Sequence, residues 1–331
     1  MRRLTYIVSK CDMKVLQRDG SILPPNEGLK ETRAIWIPPA GKEWLKGVGC
    51  SDEVATIKIP GYVWGKGKND VGDMRVKPSE TVLLFLHGGG LAVGSAHESD
   101  LTANVPREIL KRTSIQHALS VDYRKVQQAP FPAALLDCLS AWVYLTHELQ
   151  ISPSRIIIGG DSAGGHLALA LTRYLRDGGW ELPSALLLLS PWADMSKDAA
   201  PKVYRFKYEN EDTDYLNTDA LQPYISSRLL GTLPVSLLDG PYLSPAADTL
   251  EATPELFQNF PPSFVSSGTK EVLLGQIREL VTRMKRSGVD LVYHEQDDAP
   301  HDYLMLDWFQ PDMRERVWAK VTGWIDERYR K

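Results

Sequence analysis

The stretch GGDSAGGHLALALTRYL, from Gly159 to Leu175, constrains the fold of this chain more than any other. Arg155–Ile158, just before it, read as a strand, and after it Leu167, Leu171, Tyr174 and Leu175 recur at helical spacing. Ser162 therefore stands on a sharp strand-to-helix turn. That turn strains the backbone at the serine and brings the residues two before and two after it together. Gly160 and Gly164 remove the bulk that would clash there, which is the logic of G-x-S-x-G. The Ala163 N–H, first in the helix, has no intrahelical acceptor and points where an oxyanion would form. Glycine-rich turns also open structural and phosphate-binding helices, so the pattern alone leaves that reading open.

A second motif narrows the choice. LFLHGGGLAVGS ends an apolar strand in His87, Gly88, Gly89 and Gly90. Bare glycines can turn their N–H groups into a cavity and let an acyl carbonyl approach. Gly89, Gly90 and Ala163 are therefore candidate donors to a tetrahedral oxyanion. His87 is read as a brace of this loop rather than as a base.

The rest of the chain alternates strand-like and helix-like segments. VATIKIPGYVWG, TVLLFLHGGG, IQHALSVDY, ALLLLSPW, SFVSSG and VDLVYHEQ read as strands. Helices are expected over 133–149, after Ser162, over 274–286, and from Pro311 with Val317, Val321, Trp324 and Ile325 on one face. Such alternation implies an α/β class with a mostly parallel central sheet and helices on both faces. Two stretches break the rhythm: the Pro- and Gly-containing residues 1–50 and the polar, aromatic insertion at about 197–240. The expected organisation is an N-terminal cap segment over 1–50 and a catalytic domain over 51–331, with the insertion as the second part of a two-part cap. Trp36, Trp44, Tyr204, Phe206, Tyr208, Tyr215 and Tyr224 are its candidate substrate-facing aromatics.

Charge and composition exclude other classes. The net charge is −4, from 38 basic and 42 acidic residues, with no extended basic run, which argues against nucleic acid as the main partner. The apolar stretch from Thr81 is too short to span a bilayer, and MRRLTYIVSK is too short an apolar run for a signal peptide. Cys11, Cys50 and Cys138 are scattered, neither a disulfide framework nor a zinc site. A cytoplasmic protein is expected, with its oligomeric state left open.

At this point the chain resembles a known family, the hormone-sensitive-lipase-like carboxylesterases of the α/β-hydrolase fold. The resemblance lies in HGGG at 87–90, VDYR at 121–124, PFPAALLD at 130–137, GDSAGG at 160–165, SPWADMS at 190–196 and APHDY at 299–303, in the family's order. It implies a serine esterase with a two-part cap, no cofactor and a small-molecule ester as substrate. Two departures stand out: Lys125–Gln128 read KVQQ where the family has a Leu-Ala-Pro-Glu segment, and His166 stands where asparagine is common.

In this fold the catalytic order is serine, acid, histidine. Of the histidines, only His166, His294 and His301 follow Ser162. His166 lies one helical turn beyond the serine and cannot swing onto it, and His294 lies inside a strand. His301, in the loop DDAPHDY, is the candidate base. Glu271 is the only carboxylate between Glu255 and Glu279 and follows the strand SFVSSG, so it is the candidate acid. Asp248, Asp290 and Asp194 are weaker candidates, and Lys270 is a neighbour that could draw the Glu271 carboxylate away. The expected reaction is hydrolysis of a small, partly apolar ester through an acyl-enzyme. The alternatives are transfer of the acyl group to another acceptor in small-molecule biosynthesis and a receptor-like relative that only binds.

Overall fold

The computed structural model describes residues 26, 28–66, 74, 76, 80–196, 210, 213–216 and 218–329. Its centre is an eight-stranded sheet in the order β1-β2-β4-β3-β5-β6-β7-β8. The strands are β1 (Thr32–Ile37), β2 (Ile59–Gly65), β3 (Val82–Leu86), β4 (His117–Val121), β5 (Ile156–Asp161), β6 (Ala185–Leu189), β7 (Ser263–Gly268) and β8 (Leu291–Gln296). From β4 through β8 all neighbours are parallel, and β2 alone runs against both of its neighbours. This is the α/β-hydrolase architecture.

The apolar strands sort by the two-residue period of a pleated sheet. Val82, Leu84 and Leu86 of β3, with Ile156 and Ile158 of β5, enter one core. Leu83, Phe85 and Ile157 enter the other. Helices α2 (Ala133–Val143), α3 (Ala163–Gly178) and α5 (Leu274–Arg286) close the first face, and α1 (Asn104–Arg112) and α6 (Pro311–Tyr329) close the second. Val317, Val321, Trp324 and Ile325 of α6 are all buried, as their spacing predicts. Helix α1 has no counterpart among the segments expected from periodicity.

The N-terminal cap expectation over 1–50 needs correction where the structure can test it. Residues 1–25 lie outside the described residues. Thr32–Ile37, however, form the edge strand of the central sheet, in register with Trp64–Ile59 of β2. Trp36 packs beneath the Lys58 ammonium, and Trp44 stacks on Trp180 with ring centroids 5.0 Å apart. Trp180 follows the C-terminal end of α3, whose 16 residues put it about 24 Å from Ser162. Thr32, Ala34 and Ile37 of TRAIWI are buried, and its backbone polar groups are satisfied by pairing with β2.

Within the insertion, Tyr204, Phe206 and Tyr208 lie outside the described residues. Helix α4 (Thr218–Leu230) is described, and its Ile225 is buried against the HGGG loop: a Cβ on Gly90 would lie 3.2 Å from Ile225 Cδ1. Tyr224 on the same helix is exposed. No helix among the described residues is long and apolar enough to cross a membrane.

Candidate active site

The chemistry-bearing loops all leave the carboxyl ends of parallel strands, where open α/β sheets present their sites. At the end of β5, Ser162 has φ 50° and ψ −116°, a conformation a side-chain-bearing residue adopts only when its surroundings enforce it. They do so on two sides. A Cβ on Gly160 would overlap the Gly164 carbonyl, and one on Gly164 would overlap the Leu86 and His87 carbonyls at the end of β3. The two glycines thus permit different contacts: Gly160 lets the elbow close on itself, and Gly164 lets α3 start against the neighbouring strand. The Ser162 carbonyl then accepts from the N–H groups of His166 and Trp192, at 3.1 and 3.0 Å.

After β3, Gly89 and Gly90 have φ of 107° and 62°, in the left-handed region glycine enters freely. Gly88 directs its N–H to Asp161 Oδ1 (3.1 Å), which ties the loop to the elbow. His87 braces the same loop. Its Nδ1 lies 2.6 Å from the Gly88 carbonyl oxygen, and its ring stacks on Tyr123, whose hydroxyl donates to the His87 carbonyl at 2.6 Å. Burial and the nearby Lys125 ammonium, opposed by Asp122, pull the His87 pKa down to about 4, so the ring is neutral. The divergent KVQQ segment serves this loop too: Gln127 Nε2 donates to the Ala92 carbonyl at 2.9 Å, and Gln128 Oε1 accepts from Lys125 N–H at 2.8 Å.

His301, in the loop after β8, has Nε2 2.9 Å from Ser162 Oγ and Nδ1 2.9 Å from Glu271 Oε2. The three sequence candidates meet in one line of hydrogen bonds. Glu271 is fully buried, and its other oxygen accepts from Gly268 N–H (2.6 Å) and the Ser190 hydroxyl (3.3 Å). The longer glutamate arm is accommodated by folding back onto the end of β7. Burial pushes its pKa up to about 7, against the pull of its hydrogen bond to His301. None of its hydrogen bonds goes to Lys270.

The weaker candidates lie elsewhere. Asp248 is exposed, and Asp290, also exposed, pairs with Arg328 at 3.0 Å. Asp194 caps its own turn by accepting from Ser196 N–H (2.8 Å). His294 on β8 faces Gln296 and Lys320. His166 is buried, and that burial pulls its pKa down to about 4.

Four residues the sequence did not single out join the group. Asp214, from the insertion, accepts from Val272 N–H at 2.7 Å and His301 N–H at 3.3 Å, and so clamps the loop after β7 to the loop after β8. Asn210 and Thr213 add bonds to the Glu271 and Lys270 carbonyls, at 3.0 and 3.2 Å. Asp302, beside the histidine, places Oδ2 3.0 Å from His301 Nε2. The Tyr215 ring lies 6.2 Å from the His301 ring.

Fold and site together define a hydrolase-type elbow with its serine under a histidine. Residues 83–305 match the model of a family described as alpha/beta hydrolase fold. An acetyl-hydrolase of Streptomyces hygroscopicus is 31% identical over 242 residues, which are 73% of this chain and 73% of that protein. An esterase of Acinetobacter venetianus is 27% identical over 248 residues, 74% of this chain and 75% of that one. The crystal structure of an esterase from the bacterial hormone-sensitive lipase family is similar with a TM-score of 0.67 at 27% identity, covering 99% of this chain and 90% of that chain. The chain belongs to this α/β-hydrolase family, in its hormone-sensitive-lipase-like branch.

Proposed function

We propose that the protein is a serine carboxylesterase that cleaves a small, partly apolar ester through an acyl-enzyme, with Ser162, His301 and Glu271 as its catalytic residues. The observation that carries this reading is the continuous run from Ser162 Oγ through the His301 ring to Glu271, each step 2.9 Å. Serine is a poor nucleophile until a base takes its proton. His301 Nε2 is within reach to do so as Oγ attacks the ester carbonyl, while Glu271 accepts the Nδ1–H and holds the ring in that tautomer. The oxyanion forms beside the N–H groups of Gly89, Gly90 and Ala163, each such donor being worth about 10²–10³ in kcat. The imidazolium then protonates the departing alkoxide, and water activated by the same ring releases the acid. The names of the relatives, an acetyl-hydrolase and an esterase, favour a short acyl group. Helix α4 and the rest of the insertion are read as the cap that selects the substrate.

Ser162→Ala should abolish both hydrolysis of a short p-nitrophenyl ester and covalent labelling by a fluorophosphonate, with thermal unfolding little changed. Mass-spectrometric labelling that persists at another serine would overturn the assignment.

A further inference from the structure

His301 sits among more carboxyl groups than a general base requires. Glu271 faces Nδ1 from the loop after β7, and Asp214 of the insertion holds the His301 backbone N–H. On the other side, Asp302 Oδ2 is 3.0 Å from Nε2, as near as the Ser162 hydroxyl at 2.9 Å. Among the described residues the Tyr215 phenol also faces the ring, 6.2 Å from it between ring centroids.

The Asp302 contact is built into the loop. Asp302 has φ 48°, which turns its side chain back toward the ring, and its N–H donates to Ser190 Oγ at 3.2 Å. Ser190 in turn donates to Glu271, so acid, base and Asp302 share one scaffold. Behind them, Asp302 Oδ1 and Asp161 Oδ2 are both buried with no hydrogen-bond partner among the described residues, at a small cavity whose polar lining is Asp161, Ser190, Ser266 and Asp302 and whose other walls include Val105, Leu189 and Met305.

We propose that Asp302 is a positioning residue for His301: its carboxylate competes with the Ser162 hydroxyl for Nε2, and this contact sets the pH at which the enzyme becomes active. The proposal rests on His301 being the base for Ser162. With the Nδ1–H held by Glu271, an ionised Asp302 accepts an N–H from Nε2 only when the ring is an imidazolium; facing the lone pair of the neutral Nδ1–H ring it is repelled. The resting state is therefore an imidazolium held between Glu271 and Asp302. Turnover begins when the Nε2 proton leaves to solvent and the Ser162 O–H takes its place at Nε2.

The charges around the site agree. Burial alone would pull the His301 pKa down, but Asp302 and then Glu271 carry it well above its ordinary value. Two carboxyls in one cavity resist double ionisation. The proton they retain belongs on Asp161, which burial and then the Asp302 charge, with a further contribution from Asp100, push well above the usual carboxylate range. Burial raises the Asp302 carboxyl too, and the His301 charge and its hydrogen bond pull against that rise.

The test compares wild type with Asp302→Asn, chosen because asparagine tolerates φ near 48° and keeps the shape. Asp302→Gly is a second variant that also accepts this φ. One readout is the pH profile of kcat/KM for p-nitrophenyl acetate. The other is the NMR titration of His301 in the Ser162→Ala background, which needs no activity. In wild type the acid limb should lie above pH 6.5, the value of an unperturbed histidine. In either Asp302 variant, the limb and the His301 titration should both move down by about one to three pH units. Limbs and titrations that coincide with wild type would overturn the proposal. Fluorophosphonate labelling that survives Ser162→Ala would instead overturn the serine reading, and the NMR titration would still report on Asp302.

Discussion

At the residue scale, the assignment most in need of a test is Glu271, because aspartate is the more frequent partner of a catalytic histidine in this fold. The glutamate has no freedom to spare: it is fully buried, with its oxygens committed to His301, Gly268 N–H and Ser190. Glu271→Gln keeps the shape but presents an amide that no longer stabilises the imidazolium and favours the wrong ring tautomer. We expect the fold to survive and kcat to fall on the order of 10⁴. Asp248→Asn and Asp290→Asn, both on exposed side chains away from the ring, should leave kcat almost unchanged. A collapse of turnover in either one, with Glu271→Gln near normal, would move the acid assignment. His301 and Glu271 could be picked from the sequence because few residues of the right type follow the elbow in the right order. Asp302 was visible beside the histidine in APHDY, but nothing in a linear string says that a left-handed backbone at that position turns its carboxylate onto Nε2.

At the element scale, the described part of the insertion ties two loops of the sheet together. Asp214 accepts N–H groups from both Val272 and His301, so the loops after β7 and β8 are held in register by a residue from outside the sheet. Asp214→Ala leaves those two N–H groups without that acceptor and loosens the loops that carry the proposed acid and base. Displacements of about 1 Å around a catalytic group cost about 10²-fold. We expect a kcat loss of that order with KM much less affected, and a parallel loss of fluorophosphonate labelling rate. A variant that changed KM alone would instead place Asp214 in substrate binding. No sequence signal marks this aspartate, which stands in ENEDTDY among acidic residues of the same kind. Only the partner loops distinguish it.

At the scale of the whole molecule, the sheet separates the functions of its two ends. The elbow, the HGGG loop and the His301 and Glu271 loops gather at the carboxyl ends of β3, β5, β7 and β8. The segment around Trp44 seals the far end of α3, where the Tyr174 hydroxyl donates to the Trp44 carbonyl at 2.9 Å and the indole stacks on Trp180. Trp44→Ala should therefore lower stability by about 3 kcal/mol or more, as buried tryptophan truncations do, while kcat/KM for a short ester stays within about twofold. Urea unfolding alongside ester kinetics checks both; a selective change in acyl-chain preference would restore Trp44 to the cap.

The sequence by itself determined the class and the candidates for its chemistry. Both are written in local terms: a glycine-flanked serine between a strand and a helix, a glycine loop after an apolar strand, and a histidine in the loop after the last strand. Backbone sterics and the two periods of 2 and 3.6 residues act over a few positions, so they can be read in one dimension. The tertiary structure alone decided that TRAIWI pairs as an edge strand, that Gly164 makes room for the end of β3, and that Asp214 and Asp302 reach His301. These depend on which segments lie side by side in the folded chain, and hydrogen bonds between residues 87 positions apart leave no mark on local composition.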